Sequence, residues 1–121
     1  MVRKENIKKI IAEYLRYFPK NIKVEGVFVF GSYARGDYNE DSDLDLIIIS
    51  PYFRNIDFLK RLELLSSFRK SLVTRSLAMD IVGYTQDEFR AIDQESVVMK
   101  RVKKEGIMIY PGITGTVRQE S

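Results

Sequence analysis

Three aspartates lie in or beside segments predicted to be buried strands, where carboxylates are candidates for binding divalent cations. Asp43 and Asp45 are two residues apart at the start of the apolar run 44–49. Side chains alternate between the two faces of a strand, so both carboxylates are expected on one face. Two such charges about 5 Å apart repel by roughly 3 kcal/mol at an effective dielectric near 20. A divalent cation turns this repulsion into attraction, which favours a metal site.

Asp80 interrupts a second apolar segment, residues 77–82, which also predicts a strand. If this strand lies next to the strand of Asp45, three carboxylates converge on one cleft. Such a set supplies the oxygen ligands that Mg²⁺ prefers and leaves positions for water and substrate phosphates. The three aspartates together therefore indicate metal-dependent chemistry more strongly than any of them alone.

Gly31 and Ser32 form a candidate anion site. They follow the predicted strand 24–30 and open a small, polar segment, 31–42, that is typical of a turn, a short helix and an exposed loop. A strand that ends in Gly-Ser and turns into a short helix places backbone N–H groups and a hydroxyl where an anion can bind. Phosphate is the anion that most often binds at such a turn.

Each of these features also has a structural alternative. Asp43 could belong to a turn or a helix cap, with Asp45 facing solvent. Against this, the isoleucines at 47–49 indicate a central strand, in which an unpaired Asp45 is costly. A Gly-Ser pair after a strand is more often an ordinary turn than an anion site. Asp80 could instead form an ion pair with one of three nearby cations, namely Arg69, Lys70 or Arg75.

The elements that position these residues alternate between helices and short apolar strands. Apolar periodicity and capping patterns predict helix 7–18, strands 24–30 and 44–49, helix 56–72, strand 77–84, a helix from Thr85, helix 95–104 and an edge strand at 107–110. This order predicts an α/β (α+β) fold, with a small β-sheet covered by helices on at least one face. We expect one domain over residues 1–110 and a flexible tail over 111–121.

Composition narrows the chemistry further. The chain has 121 residues, no Cys and no His, so thiolate zinc sites and thiol nucleophiles are excluded and any metal should be bound by oxygen. A net charge of +3 is too small to indicate direct nucleic-acid binding. No apolar run approaches the roughly 20 residues that cross a bilayer, so we expect no membrane contact and a cytoplasmic location.

The motifs together resemble a known superfamily. Residues 31–37 are Gly-Ser-Tyr-Ala-Arg-Gly-Asp and residues 42–46 are Ser-Asp-Leu-Asp-Leu, so ten residues separate the Gly-Ser pair from Asp43-x-Asp45. This pattern resembles the signature of the DNA polymerase β-like nucleotidyltransferases, and Asp80 looks like their third carboxylate. The resemblance implies a mixed sheet packed with helices in the polymerase β-like palm fold. The Ala-Arg-Gly and Ser-Asp contexts are similar to those of the minimal nucleotidyltransferases.

The resemblance also implies roles for the site residues. Asp43 and Asp45 would bind two Mg²⁺ ions, and Asp80 would complete the site of the ion nearest the attacking hydroxyl and help to deprotonate that hydroxyl. ATP would be the substrate, with its phosphates held by Gly31 and Ser32. Arg35 would either bind phosphate or form a structural ion pair.

Minimal nucleotidyltransferases are found paired with HEPN-domain toxins, and some transfer AMP from ATP to a tyrosine of that partner. The resemblance therefore implies an antitoxin that works by protein adenylylation, with a HEPN-domain protein as partner and either homo- or hetero-oligomers. The loop tyrosines Tyr33, Tyr38 and Tyr52 are candidates for contacting the partner. Two alternatives remain open: an inert antitoxin that acts by binding alone, or a transferase for a small-molecule hydroxyl. The short chain leaves no room for an acceptor-binding domain, which disfavours the second alternative.

Overall fold

The computed structural model describes residues 6–39 and 41–110, which form a four-stranded mixed sheet with helices on both faces. The strands are β1 (Gly26–Phe30), β2 (Leu44–Ile49), β3 (Met79–Tyr84) and β4 (Ile107–Tyr110). The helices are α1 (Ile7–Leu15), α2 (Ser32–Arg35), α3 (Phe58–Ser67), α4 (Leu72–Ser76), α5 (Gln86–Arg90) and α6 (Val97–Glu105), with 3-10 turns at Pro51–Phe53 and Ile92–Gln94.

β2 lies inside the sheet, whose strand order is β3-β2-β1-β4. It pairs antiparallel with β1 and parallel with β3, while β4 pairs antiparallel with the other side of β1. Its branched and apolar residues are buried on both faces, which explains why an uninterrupted apolar run forms a strand here. The predicted mixed sheet is therefore confirmed, and its order is now defined.

Alternate strand residues divide the core into two apolar layers. Leu44, Leu46 and Ile48 of β2 face α1 and α3, in a cluster that includes Tyr14 and Leu65. Ile47 and Ile49 face the opposite side, where Phe89 of α5 and Ile92 pack, together with Met99 and Val102 of α6. None of the helices in the described ranges is long and apolar enough to span a membrane.

Most predicted elements are confirmed, including strand 44–49 with its bounds and the capping box in which Thr85 and Glu88 bond each other's backbone N–H. The predicted helix 56–72 is wrong in its second part, because α3 ends at Ser67 and Ser71 caps the separate helix α4. The predicted strand 24–30 begins only at Gly26. The predicted tail, 111–121, lies outside the described residues.

The periodicity that predicts the second helix assigns its buried stripe to Phe58, Leu59, Leu62, Leu65 and Leu72, which is also wrong in part. Leu59 and Leu72 are exposed, whereas Arg61 and Leu65 are the buried residues of α3. Arg61 donates to both carboxylate oxygens of Glu88, at 2.7 and 3.1 Å, and to the carbonyls of Ile56 and Gly83. This hydrogen bonding lowers the pKa of Glu88 and joins α3, β3 and α5.

Replacing Arg61 with Met should lower the free energy of unfolding by about 2 kcal/mol, because four hydrogen bonds to a buried guanidinium are lost. Arg54→Met is the matched control, since the Arg54–Asp87 pair spans 3.5 Å on the surface and should contribute less than about 0.5 kcal/mol. Urea unfolding at pH 7 measures both values. Equal effects of the two substitutions would contradict a structural role for Arg61.

Candidate active site

The parallel pairing of β2 and β3 places Asp45 directly opposite Asp80. Side chains at paired positions project to the same face of the sheet. Asp45 and Asp80 therefore lie on the face of Ile47 and Val82, past the end of the apolar cluster to which those two residues belong. Asp45 is half-buried, whereas Asp80 is exposed. Asp43, one residue before β2, is also exposed and is close enough to raise the pKa of Asp45. The structure thus brings the three predicted aspartates to one end of the sheet.

Gly31 lies against the same carboxylate. Phe30, the last residue of β1, pairs with Asp45, so the chain turns into α2 directly beside it. Gly31 has a φ of 73°, which favours glycine, and a Cβ built there would be 2.1 Å from Oδ2 of Asp45. Ser32 is the first residue of α2 and is half-buried. The predicted Gly-Ser turn therefore touches the predicted carboxylate site.

The three carboxylates are not neutralised by the described part of the protein. None of them forms a hydrogen bond or an ion pair with any residue of the ranges 6–39 and 41–110. The alternative ion pair of Asp80 with Arg69 is not formed, because that guanidinium donates to the carbonyls of Thr74 and Leu77. Three effects raise the pKa of Asp45 to about 6: burial, which is the largest, then the charge of Asp80 and then that of Asp43. The charge of Arg35 acts in the opposite direction.

This raised pKa predicts an unusual pH dependence of stability. Between its ordinary value of 3.8 and about 6, the folded protein binds the Asp45 proton more tightly than the unfolded chain does. Stability associated with Asp45 is therefore present at low pH and is lost as the pH rises through about 6. Relative to Asp45→Asn, the wild type should lose about 1 kcal/mol between pH 4 and pH 7, allowing for solvent screening of a half-exposed group.

Urea unfolding of both proteins at each pH, with a chelator present, measures this difference. Because Asn does not titrate, the comparison reports the charge of Asp45 together with its repulsion by Asp43 and Asp80. A stability difference that stays constant from pH 4 to pH 7 would show that Asp45 has an ordinary pKa.

Arg35 is ion-paired on the surface. Its Nε lies 3.2 Å from a carboxylate oxygen of Asp37, and its Nη1 lies 3.8 Å from Glu105 of α6. Glu105 was not predicted as a neighbour, since it lies far along the chain and no local pattern signals the contact. These pairs agree with the structural alternative for Arg35, and its phosphate contact stays a prediction.

The loop tyrosines differ in how available they are to a partner. Tyr33 is only 2% exposed and stacks on Tyr38 with ring centroids 4.4 Å apart. Its side chain is therefore too deeply buried to contact a partner, contrary to the expectation from its place in the loop. Tyr38 and Tyr52 are half-buried.

The donor chemistry of the site fits Mg²⁺. The described ranges contain no cluster of three or more carboxylate, histidine or cysteine side chains closed around one metal position. Proteins commonly bind Mg²⁺ through one or two carboxylates, with water and substrate phosphates as the remaining ligands. Asp45 and Asp80, paired and unneutralised, match that requirement, and Asp43 adds a third oxygen donor at the exposed rim.

Comparison with known proteins gives several relatives. A 58-residue segment is 38% identical to "Putative protein adenylyltransferase MJ1215" of Methanocaldococcus jannaschii and covers 48% of this chain and 65% of that protein. Over 80 residues the chain is 32% identical to "Protein adenylyltransferase MntA" of Thermococcus cleftensis, covering 63% of this chain and 81% of that protein. The chain spans 65% of the first relative's length and 57% of two further M. jannaschii relatives.

Two solved structures share the fold. The first is a protein of Sulfolobus solfataricus described as a "putative nucleotidyltransferase", with a TM-score of 0.59 and 24% identity over 94% of this chain and 85% of that one. The second is a toxin–antitoxin with AMP-PNP, with a TM-score of 0.52 and 20% identity over 90% and 73% of the two chains. The family model described as "Nucleotidyltransferase domain" matches residues 7–108. The predicted fold is thereby confirmed, and the chain belongs to the nucleotidyltransferase domain family.

Proposed function

We propose that this chain transfers AMP from ATP, with Mg²⁺, to a tyrosine hydroxyl of a HEPN-domain toxin and so acts as an antitoxin. The observation that carries the proposal is the in-register pair of Asp45 and Asp80, unneutralised by the described residues and in contact with the Gly31 turn. A purely structural pair of this kind would be destabilising, because the two charges repel. The relatives named protein adenylyltransferases and the toxin–antitoxin with AMP-PNP support an adenine nucleotide as substrate and a toxin protein as acceptor. The choice of a HEPN domain and of tyrosine rests on the resemblance to the minimal nucleotidyltransferases.

The proposed mechanism assigns a task to each residue. Asp43, Asp45 and Asp80 would hold Mg²⁺, which supplies positive charge to the triphosphate and to the attacking oxygen. The Gly31 amide and the Ser32 hydroxyl orient the β- and γ-phosphates for in-line attack. Asp80, exposed at the edge of the sheet, accepts the proton of the attacking hydroxyl.

Transfer of AMP forms one bond to phosphorus and breaks another. A bond forms between the tyrosine oxygen and the α-phosphorus, and the bond from that phosphorus to the bridging oxygen of the β-phosphate breaks. Pyrophosphate leaves with the bonding electron pair, and the hydroxyl proton passes through Asp80 to water. The products are pyrophosphate and a tyrosine that carries AMP through a phosphodiester bond.

The test is transfer of label from α-labelled ATP to a purified HEPN-domain ribonuclease toxin, in the presence of Mg²⁺. We expect a mass gain of one or more AMP units on that protein, together with loss of its ribonuclease activity. Silencing of the ribonuclease without a mass gain would support an antitoxin that acts by binding alone. Label found only on small hydroxyl compounds would support the small-molecule alternative.

A further inference from the structure

β3 forms one edge of the sheet, and part of its backbone beside the candidate active site has no neighbouring strand to pair with. The amide of Leu44 donates to the carbonyl of Ala78 at 2.9 Å, and that of Ser50 donates to Tyr84 at 3.0 Å. In a parallel pair with this register, the even-numbered residues of β3 direct their N–H and C=O groups to β2. The N–H and C=O groups of Met79 and Ile81 therefore point outward, on either side of Asp80.

Two guanidinium groups cap this edge at its ends. Arg69 donates to the carbonyl of Leu77, and Arg61 donates to the carbonyl of Gly83 at 3.0 Å. Between these caps, the outward groups of Met79 and Ile81 form no hydrogen bond with any residue that the structure describes. We call these four unpaired groups the edge window.

A small cavity of about 150 Å³ adjoins the edge window. Its lining combines residues of α3, the following turn and β3: Leu62, Ser66, Arg69, Met79, Asp80 and Ile81. A cavity of this volume can hold one medium-sized side chain. Its lining is mixed, since Ser66, Arg69 and Asp80 contribute polar groups beside three apolar residues.

The cavity reaches the edge of the sheet at Asp80 and extends from there to the face that α3 covers. Met79 and Ile81 face α3, whereas the side chain of Asp80 faces the side of Asp45. A strand added to the edge would present successive side chains to opposite faces, as any strand does. The residue opposite Asp80 would then face the carboxylates, and its neighbour would face the cavity.

We propose that the acceptor is an extended segment of a protein that pairs with the edge window as an additional strand, with its tyrosine opposite Asp80 and an adjacent side chain in the cavity. This inference rests on the proposed function, since it names how the acceptor of that same site is held. The backbone pairing supplies affinity without side-chain specificity, and the cavity adds contacts to one neighbouring side chain.

The probe is the blocked peptide acetyl-Thr-Val-Tyr-Val-Thr-amide, compared with acetyl-tyrosine-amide as acceptors of label from α-labelled ATP. For the full chain we expect kcat/KM for the peptide to exceed that for the amide by about tenfold or more, because pairing and cavity filling add to binding. A peptide N-methylated at the tyrosine and both valines should lose this advantage, since it lacks the N–H groups that pair with the edge window in either strand direction.

Two variants test the protein side. Met79→Pro removes one outward N–H without removing a bond to β2, and proline is tolerated at the first residue of an edge strand. Ser66→Trp fills the mouth of the cavity. Both should reduce the peptide advantage to within about twofold while leaving transfer to the amide unchanged. The matched controls Met79→Leu and Ser67→Trp should retain it, since neither removes the N–H nor fills the cavity.

Hydrogen exchange separates this inference from the proposed function. Saturating peptide should protect the amides of Met79 and Ile81, whether or not AMP is transferred. Protection without transfer to any acceptor would contradict the proposed function alone. Absence of protection, or a peptide advantage that survives in both Met79→Pro and Ser66→Trp, would overturn the docking of the acceptor at this edge.

Discussion

Asp45→Asn is expected to reduce AMP transfer by at least about 1,000-fold while leaving the chain folded. The loss follows because metal-assisted stabilisation of charge is worth several kcal/mol, and each 1.36 kcal/mol corresponds to a factor of ten in rate. Asp45 is the half-buried member of the three carboxylates, with Asp80 paired beside it and the Gly31 turn in contact with it. Asparagine keeps the shape of the side chain but removes the charge.

The measurement is the initial rate of label transfer from α-labelled ATP at fixed Mg²⁺, with thermal unfolding to confirm the fold. Asp41→Asn is the matched control, since it removes an exposed carboxylate from the same loop and should change the rate by less than about twofold. An Asp45→Asn protein that transfers AMP at the wild-type rate would exclude a metal-binding role for this carboxylate.

Gly31→Ala is expected to lower AMP transfer by about 100-fold or more and to destabilise the fold. An added Cβ would be 2.1 Å from Oδ2 of Asp45, so either the turn or the carboxylate must move. Displacement of reacting groups by about 1 Å can cost a factor of about 100 in rate. The φ of 73° adds backbone strain of about 1 kcal/mol or more for any residue with a Cβ.

Gly36→Ala separates these two causes. Gly36 also has a positive φ, of 89°, but, its chain neighbours aside, no described residue has an atom within 4 Å of the position that its Cβ would take. Both variants should therefore melt at lower temperature, and only Gly31→Ala should lose transfer when both are assayed well below their melting temperatures. Similar losses of transfer in the two variants would mean that strain in the loop matters and the contact with Asp45 does not.

The local features of this fold could be predicted because their signals are local. The run 44–49 forms a strand since it is short, branched and apolar, and the Thr85–Glu88 capping box forms within four residues. The burial of Arg61 could not be predicted in this way. Its partners Gly83 and Glu88 lie on other elements, so the apolar periodicity of α3 correctly marked Leu65 as buried but gave no sign of Arg61.

The same distinction holds within the candidate site. Strand alternation alone predicts a shared face for Asp43 and Asp45, which stays a prediction because Asp43 precedes β2 in the structure. The position of Asp80 opposite Asp45 depends on strand order, which only contacts between distant segments determine. The pairing of Arg35 with Glu105 is of the same kind, and the sequence left both alternatives for Arg35 open.

The mixed pairing of β2 has a consequence for how the site assembles during folding. Gly31 reaches Asp45 through the antiparallel β1–β2 pair, which the short helix α2 and the loop after it connect. Asp80 reaches it only after α3 and α4 have crossed over to form the parallel β2–β3 pair. Because closing longer loops is entropically costlier, the contact of the Gly31 turn with Asp45 can form first and the carboxylate pair last. Catalytic competence would then appear only with the final docking of the crossover, so refolding followed by activity should lag behind refolding followed by β1–β2 contacts.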